Sequence, residues 1–260
     1  MAAVRIVAII FLLLFAAGTA FYLWQRGQPT PIPSAPRAQS PAPAAPAPSA
    51  PRYPLEPAPP APLPALKDSD PSILEALATL FGADPLRQFF VPEEIVRRIV
   101  VTIDNLPRGE FAAPLSPMVG PGGLPRVTGK EDTLALSPDN SARYIPYVRL
   151  AESVEASKAV AFYARFYPLF QQAYADLGFP NAYFNDRLVE VIDHLLDAPE
   201  ARGPLRLVSP HVLYEYADRD LEASSSGRKL LLRMGPDNAA RIKMKLRQIR
   251  GELMKQVRKP

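Results

Sequence analysis

The chain has 260 residues, of which 48% are hydrophobic and 22% charged, and its formal net charge is +4. It contains no cysteine, which excludes disulfides, thiol catalysis, cysteine-ligated zinc and iron–sulfur clusters. Of its 32 prolines, 15 lie within the 42 residues from 25 to 66. This uneven distribution separates a linker from a folded part that is long enough to bury one sizeable core.

An uncharged apolar run occupies residues 6–24, between Arg5 and Arg26. As a helix it would span about 28 Å, close to the thickness of the hydrocarbon core of a bilayer. Tyr22 and Trp24 at its end are typical of a membrane interface. We therefore predict an N-terminal transmembrane anchor over residues 1–24. The alternative is a cleaved secretory signal peptide, because residues 16–20 are all small.

Residues 25–66 consist largely of proline and alanine. Such a sequence lacks the apolar side chains of a core and favours an extended polyproline conformation, so we predict a disordered linker. The amino terminus and Arg5 precede the apolar run 6–24, and the positive-inside rule then places the N-terminus in the cytoplasm. This predicts a single-pass protein of the inner membrane with its C-terminal domain in the periplasm. A cytosolic domain on a spacer is the alternative.

The rest of the chain, residues 67–260, is predicted to be mainly α: a single helical domain with a small β-hairpin. Apolar residues recur at helical spacing in several segments, which begin at Asp-Pro or Pro-Glu pairs and end at glycine or proline. One segment is rich in phenylalanine and tyrosine, a pattern that favours a buried face over a ligand groove. The predicted helices cover 70–81, 84–90, 93–106, 155–177, 183–197 and 238–257, the hairpin covers 126–137, and two short extended pieces lie in 204–216.

The predicted helix 183–197 carries acidic residues at helical spacing. Asp186, Glu190 and Asp193 fall on one face, with His194 beside them. Asp186, Glu190 and His194 are candidate ligands for a divalent cation, and all four are candidate acid/base residues of a hydrolase. The alternative is a charged face that pairs with arginine and lysine.

The C-terminal segment 227–260 has eleven lysines and arginines against Asp237 and Glu252, a local net charge of +9. Its predicted helix has a basic outer face, which could dock on the acidic face of the same domain, lie against lipid head groups or bind a polyanion such as nucleic acid. The candidate residues for polyanion or head-group binding are Arg241, Lys243, Lys245, Arg247 and Arg250.

Two runs, 183–196 (YFNDRLVEVIDHLL) and 229–242 (KLLLRMGPDNAARI), resemble those of a bacterial membrane-anchored family that is catalogued only as a domain of unknown function, DUF3014. Residues 101–106 and 212–218 fit the same pattern. The resemblance implies an N-terminal span and a Pro-rich tether, typical of Gram-negative bacteria. It implies no reaction, ligand or catalytic residue.

Taken together, these features predict a membrane-tethered, non-enzymatic interaction or scaffold domain in the bacterial envelope. We expect no cofactor, and we expect an envelope protein or a cell-wall component as the partner. The first alternative is a metal-dependent or acid/base hydrolase that uses the face of helix 183–197. The second is a tethered binder of nucleic acid or another polyanion that uses the basic C-terminal helix.

Overall fold

The computed structural model describes residues 50–55, 62–201, 203–210 and 213–258. The predicted anchor (1–24) and most of the predicted linker lie outside these residues. Within the described ranges, no helix has both the length and the apolar character needed to cross a bilayer.

The predicted mainly α class is confirmed, because helices dominate the described residues. The short strands are β1 (Val127–Thr128), β2 (Ala135–Leu136), β3 (Leu207–Val208) and β4 (Glu215–Tyr216). The helices are α1 (Asp70–Phe81), α2 (Ala83–Phe89), α3 (Ile95–Asn105), α4 (Ile145–Ser153), α5 (Ala156–Asp176), α6 (Phe184–Leu196), α7 (Arg219–Glu222), α8 (Ser226–Met234) and α9 (Pro236–Gln256).

The strands form two antiparallel hairpins, with Val127 opposite Leu136 and Leu207 opposite Tyr216. The first is the predicted hairpin. The second arises from the two predicted extended pieces, whose pairing the sequence does not predict. Two backbone hydrogen bonds join the hairpins, because the N–H of Leu136 donates to the carbonyl of Leu205 and that of Leu207 to the carbonyl of Leu134.

The aromatic helix α5 lies at the centre of the main core, where it packs against α3, α6 and α9. Phe166 and Phe170 are almost fully buried, and the Phe170 ring stacks on Phe184 of α6 with centroids 5.9 Å apart. The predicted buried aromatic face is confirmed. Each such ring removes a large apolar area from water, and the stacked geometry adds about 0.5–1.5 kcal/mol per pair.

Asp70 belongs to a helix-start pattern in the sequence, but its side chain binds the start of a different helix. The Asp-Pro pair predicts that Asp70 caps its own helix, but Asp70 is the first residue of α1 and Ser69 precedes it as the N-cap. The Asp70 carboxylate instead accepts hydrogen bonds from the N–H groups of Glu94 and Ile95, at 2.7 and 3.0 Å. It therefore satisfies backbone donors at the start of α3, which would otherwise lack partners.

Residues 50–55, which we call the strap, fall within the predicted linker but contact the helical domain. Leu55 forms an antiparallel bridge with Val257, and the N–H of Arg258 donates to the carbonyl of Pro54 at 2.8 Å. Leu63 and Leu66, which also fall within the predicted linker, pack on the main core as well. The difference from the predicted boundary has a physical reason, since these leucines give the end of the Pro-rich segment apolar side chains to bury.

Candidate functional site

The acidic helix predicted over 183–197 is α6, and its four candidate residues differ in exposure. Glu190 is exposed, whereas Asp186, Asp193 and His194 are half-buried. The opposite side of α6 is apolar and packs into the core through Phe184, Val189 and Ile192. This amphipathic pattern places the charged residues where other elements of the domain can reach them.

Asp186 holds the strap. Its carboxylate accepts hydrogen bonds from the backbone N–H groups of Arg52 and Tyr53, at 2.9 and 2.8 Å. Asn185, which is 1% exposed, donates from Nδ2 to the carbonyl of Tyr53 at 2.7 Å. Two adjacent side chains of α6 thus bind both polar groups of an extended backbone.

Glu190 belongs to a charged cluster around Asp104 of α3. Arg187 donates to Glu190 at 3.0 Å and to the Asp104 carboxylate at 2.9 Å, and Arg108 donates to the other oxygen of Asp104 at 2.6 Å. The Asp104 side chain is 6% exposed, and a buried carboxylate requires such compensation. The cluster, with Arg52 and Asp186, lines an open cavity of about 310 Å³.

Asp193 forms an ion pair with Arg250 of α9, at 2.5 and 3.1 Å between the two nitrogens and the two oxygens. The side chains are 45% and 36% exposed. The contact joins the acidic helix to the basic C-terminal helix, as one of the alternatives from the sequence expects.

His194 contacts Ser225, with 2.8 Å between Nε2 and Oγ. Burial lowers the pKa of His194, and the nearby positive charge of Arg228 acts in the same direction. Ser225 is 8% exposed and is the N-cap of α8, where its Oγ accepts a hydrogen bond from the N–H of Arg228. The serine hydroxyl is therefore engaged in capping a helix.

The candidate metal ligands Asp186, Glu190 and His194 each have a different internal partner: the strap, Arg187 and Ser225. Across the part of the chain that the structure describes, no group of three or more histidine and acidic residues is arranged to hold a metal ion. These side chains thus lie on one helix, but they do not converge on a common point.

Four of the five basic candidates on α9 also have internal partners. Arg241 donates to Glu152 at 2.8 and 2.5 Å, and this hydrogen bond holds the pKa of Glu152 below its usual value. Lys245 donates to the carbonyl of Val154, the C-cap of α4, at 2.8 Å. Arg250 pairs with Asp193 as described above. The Lys245 contact is favourable because the free carbonyls at the C-terminus of a helix carry partial negative charge.

Lys243 differs from the predicted outer basic face, because it is 6% exposed. Its ammonium donates to the carbonyl of Ala198, just beyond the C-terminal end of α6, at 2.5 Å. Arg247 is exposed, and among the described residues it has neither a hydrogen-bond nor an ion-pair partner. The basic helix thus fastens the ends of α4 and α6, and Arg247 is the candidate that stays available to solvent.

Sequence reasoning missed an apolar surface beside the hairpins. Leu124 and Leu213 are 75% and 72% exposed, the highest values among the large hydrophobic side chains of the described residues. They belong to the lining of a groove of about 240 Å³, which we call the leucine groove; its lining includes Leu124, Leu136, Leu207, Leu213, Tyr216 and Arg233. Its only signal in the sequence is two leucines in loops, which does not show that folding brings them together.

Comparison with known proteins gives one match. No curated protein and no solved structure matches the chain. A family model described as "Protein of unknown function (DUF3014)" matches residues 95–250, which is more than half of the chain. This range contains α6, α8, both hairpins, the leucine groove and most of α9. The resemblance predicted from the sequence is confirmed, and the chain belongs to the DUF3014 family of proteins of unknown function.

Proposed function

We propose that this protein is a non-enzymatic interaction domain on a membrane tether. In this proposal residues 1–24 anchor it in the inner membrane of a bacterium, and the chain crosses that membrane once. The Pro/Ala-rich linker then presents the helical domain in the periplasm. Its partner is a protein of the envelope or a component of the cell wall.

The observation that carries the proposal is the leucine groove. The exposed leucines that line this groove leave apolar area in contact with water, and such area on a soluble domain is typical of an interaction site. The groove lies among loops and hairpins, where the chain can present side chains to a partner.

The contacts of α6 support a non-enzymatic role. A general acid or base must reach a substrate proton, and a metal site needs several ligands that converge on one point. Asp186, Asp193 and His194 instead contact groups of the same domain, and Glu190 contacts Arg187. These interactions make the acidic face a structural surface.

Complementation of a strain that lacks the gene for this protein tests the proposed non-enzymatic role. We expect full-length E190Q and H194Q, expressed at the wild-type level, to complement as well as the wild type, since neither residue performs chemistry in this proposal. We expect a chain without residues 1–24 to fail. If E190Q fails although the protein accumulates normally, the acidic face is catalytic and the proposal is wrong.

Protease accessibility tests the location. We expect the domain to be digested in spheroplasts but protected in intact cells, because spheroplasts expose the periplasmic side of the inner membrane. Protection in spheroplasts, with digestion only after lysis, would place the domain in the cytoplasm and exclude envelope partners.

A further inference from the structure

We propose that the leucine groove binds an apolar peptide segment that carries a carboxylate. The inference rests on the proposed interaction role and adds the site and the chemistry of the partner. Three features carry it: the exposed leucines, the size of the groove and the charge of Arg233.

The apolar part of the partner follows from the lining. Leu207 and Tyr216 are 7% and 5% exposed and pair across the second hairpin, so this part of the groove is firmly placed. Leu124 and Leu213 also line the groove and are largely in water. An apolar side chain that packs against them in the groove would remove these leucines from water, which is the main source of favourable free energy in such contacts.

The size of the groove favours a peptide. Pockets for drug-sized molecules typically have about 300–1,000 Å³, whereas the leucine groove has about 240 Å³. It has room for one or two side chains of a segment whose backbone continues over the surface. A fatty acid also combines an apolar chain with a carboxylate, but a long acyl chain needs a longer enclosed channel to be covered.

The charge of Arg233 indicates the carboxylate. Arg233 is exposed and lines the groove together with Tyr216. No carboxylate of the described ranges lies within ion-pair distance of its guanidinium. Glu222 is near enough for its pKa to be affected by Arg233, but its oxygens accept hydrogen bonds from Lys229 and from the N–H of Tyr216.

An arginine at the edge of an apolar groove selects a partner by charge, because a carboxylate can bind its planar guanidinium through two hydrogen bonds. The carboxylate of the partner would come from an aspartate, a glutamate or a chain terminus. A partner with lysine at that position would place two positive charges together, which opposes binding.

A random peptide library displayed on phage and selected against the full-length chain in detergent tests the proposal. We expect the selected peptides to combine leucine, proline or aromatic residues with an acidic group. Measured by fluorescence anisotropy with synthetic peptides, L124S and L213S should each weaken binding by about tenfold or more. The matched control is M244S, since Met244 is 56% exposed on α9 and lies outside the groove lining; it should leave binding unchanged.

Charge exchange tests the role of Arg233. R233E should bind the acidic peptide more weakly than the wild type does. It should bind the same peptide with lysine in place of the acidic residue more tightly than the wild type does. L124S and L213S should keep the wild-type melting temperature, because both leucines are largely exposed, so a loss of binding would not reflect unfolding.

The assignment is overturned if no peptide is selected, if the selected peptides bind L124S and L213S as tightly as the wild type, or if oleate alone binds in a groove-dependent manner. These outcomes remove the groove assignment but leave the result of the complementation experiment standing. A failure of the proposed interaction role would instead appear as loss of complementation in E190Q.

Discussion

Arg250 of α9 binds Asp193 of α6 through two parallel hydrogen bonds, at 2.5 and 3.1 Å. Both side chains are more than one third exposed, so solvent screens the pair and its contribution is modest. A double-mutant cycle with D193N and R250Q should give a coupling free energy of about 0.5–1 kcal/mol in urea unfolding, decreasing with added salt. A coupling of zero would mean that the contact adds no stability.

Lys243 and Arg247 lie on the same helix in opposite environments, and their replacement should have unequal effects. K243M removes the hydrogen bond to the carbonyl of Ala198 and leaves a buried acceptor unpaired, which should lower the free energy of unfolding by about 1–2 kcal/mol. R247Q changes an exposed side chain and should stay within about 0.5 kcal/mol of the wild type. Equal effects of the two variants in urea unfolding would contradict the capping role of Lys243.

Gly227 and Gly251 form a second matched pair. A Cβ atom on Gly227 would lie 2.6 Å from the Cδ2 of Leu195 and 3.0 Å from the carbonyl oxygen of Leu106, whereas one on Gly251 would meet nothing within 4 Å. G227A should therefore destabilise the domain by about 1–3 kcal/mol through overpacking. G251A should stabilise it by up to about 1 kcal/mol, because alanine is the better helix former. Thermal melts of both variants check the prediction, and a neutral G227A would show that α8 can shift away from α6.

His194 should make the stability of the domain depend on pH. Burial lowers its pKa in the folded protein, whereas in the unfolded chain it is about 6.5. The unfolded state therefore takes up the proton first as the pH falls, and the free energy of unfolding decreases through this range. Urea unfolding between about pH 7.5 and 5.5 should show this decrease in the wild type. H194Q should remove it, and a decrease that persists in H194Q must come from other groups.

Asp186 should control the order of the strap. In D186N only one side-chain oxygen remains to accept from the N–H groups of Arg52 and Tyr53. Hydrogen exchange of residues 50–55 should become faster, while that of α5 stays unchanged because its amides lie in the core. E190Q is the control, since Glu190 does not contact the strap. Unchanged exchange in D186N would mean that Asn185 and the contacts with Val257 and Arg258 suffice.

The sequence predicts the helices well because their signals are local. The aromatic spacing of α5 and the alternating charged and apolar sides of α6 depend only on residues three or four positions apart. The same spacing places Asp186, Glu190, Asp193 and His194 on one helix. It does not identify their partners, because Ser225 is 31 residues from His194 and Tyr53 is 133 residues from Asp186.

Neither the strap nor the leucine groove could be predicted from the sequence, and the two reasons are related. The strap has the composition of a linker, and its order depends on acceptors and donors supplied by α6 and by the end of α9. The groove depends on two loop leucines, Leu124 and Leu213, which only the packing of the hairpins brings to one surface. The burial of Lys243 could not be predicted for the same reason. A basic residue on an amphipathic helix is expected to face water, and only the fold shows that a distant carbonyl replaces water as its partner.

The strap also determines where a mechanical load enters the domain. A pull on the N-terminal side of residue 50 reaches Asp186 of α6 and Val257, next to the end of α9, before it can reach α1. The few hydrogen bonds that hold the strap would therefore have to break before such a pull could separate α1 from the core.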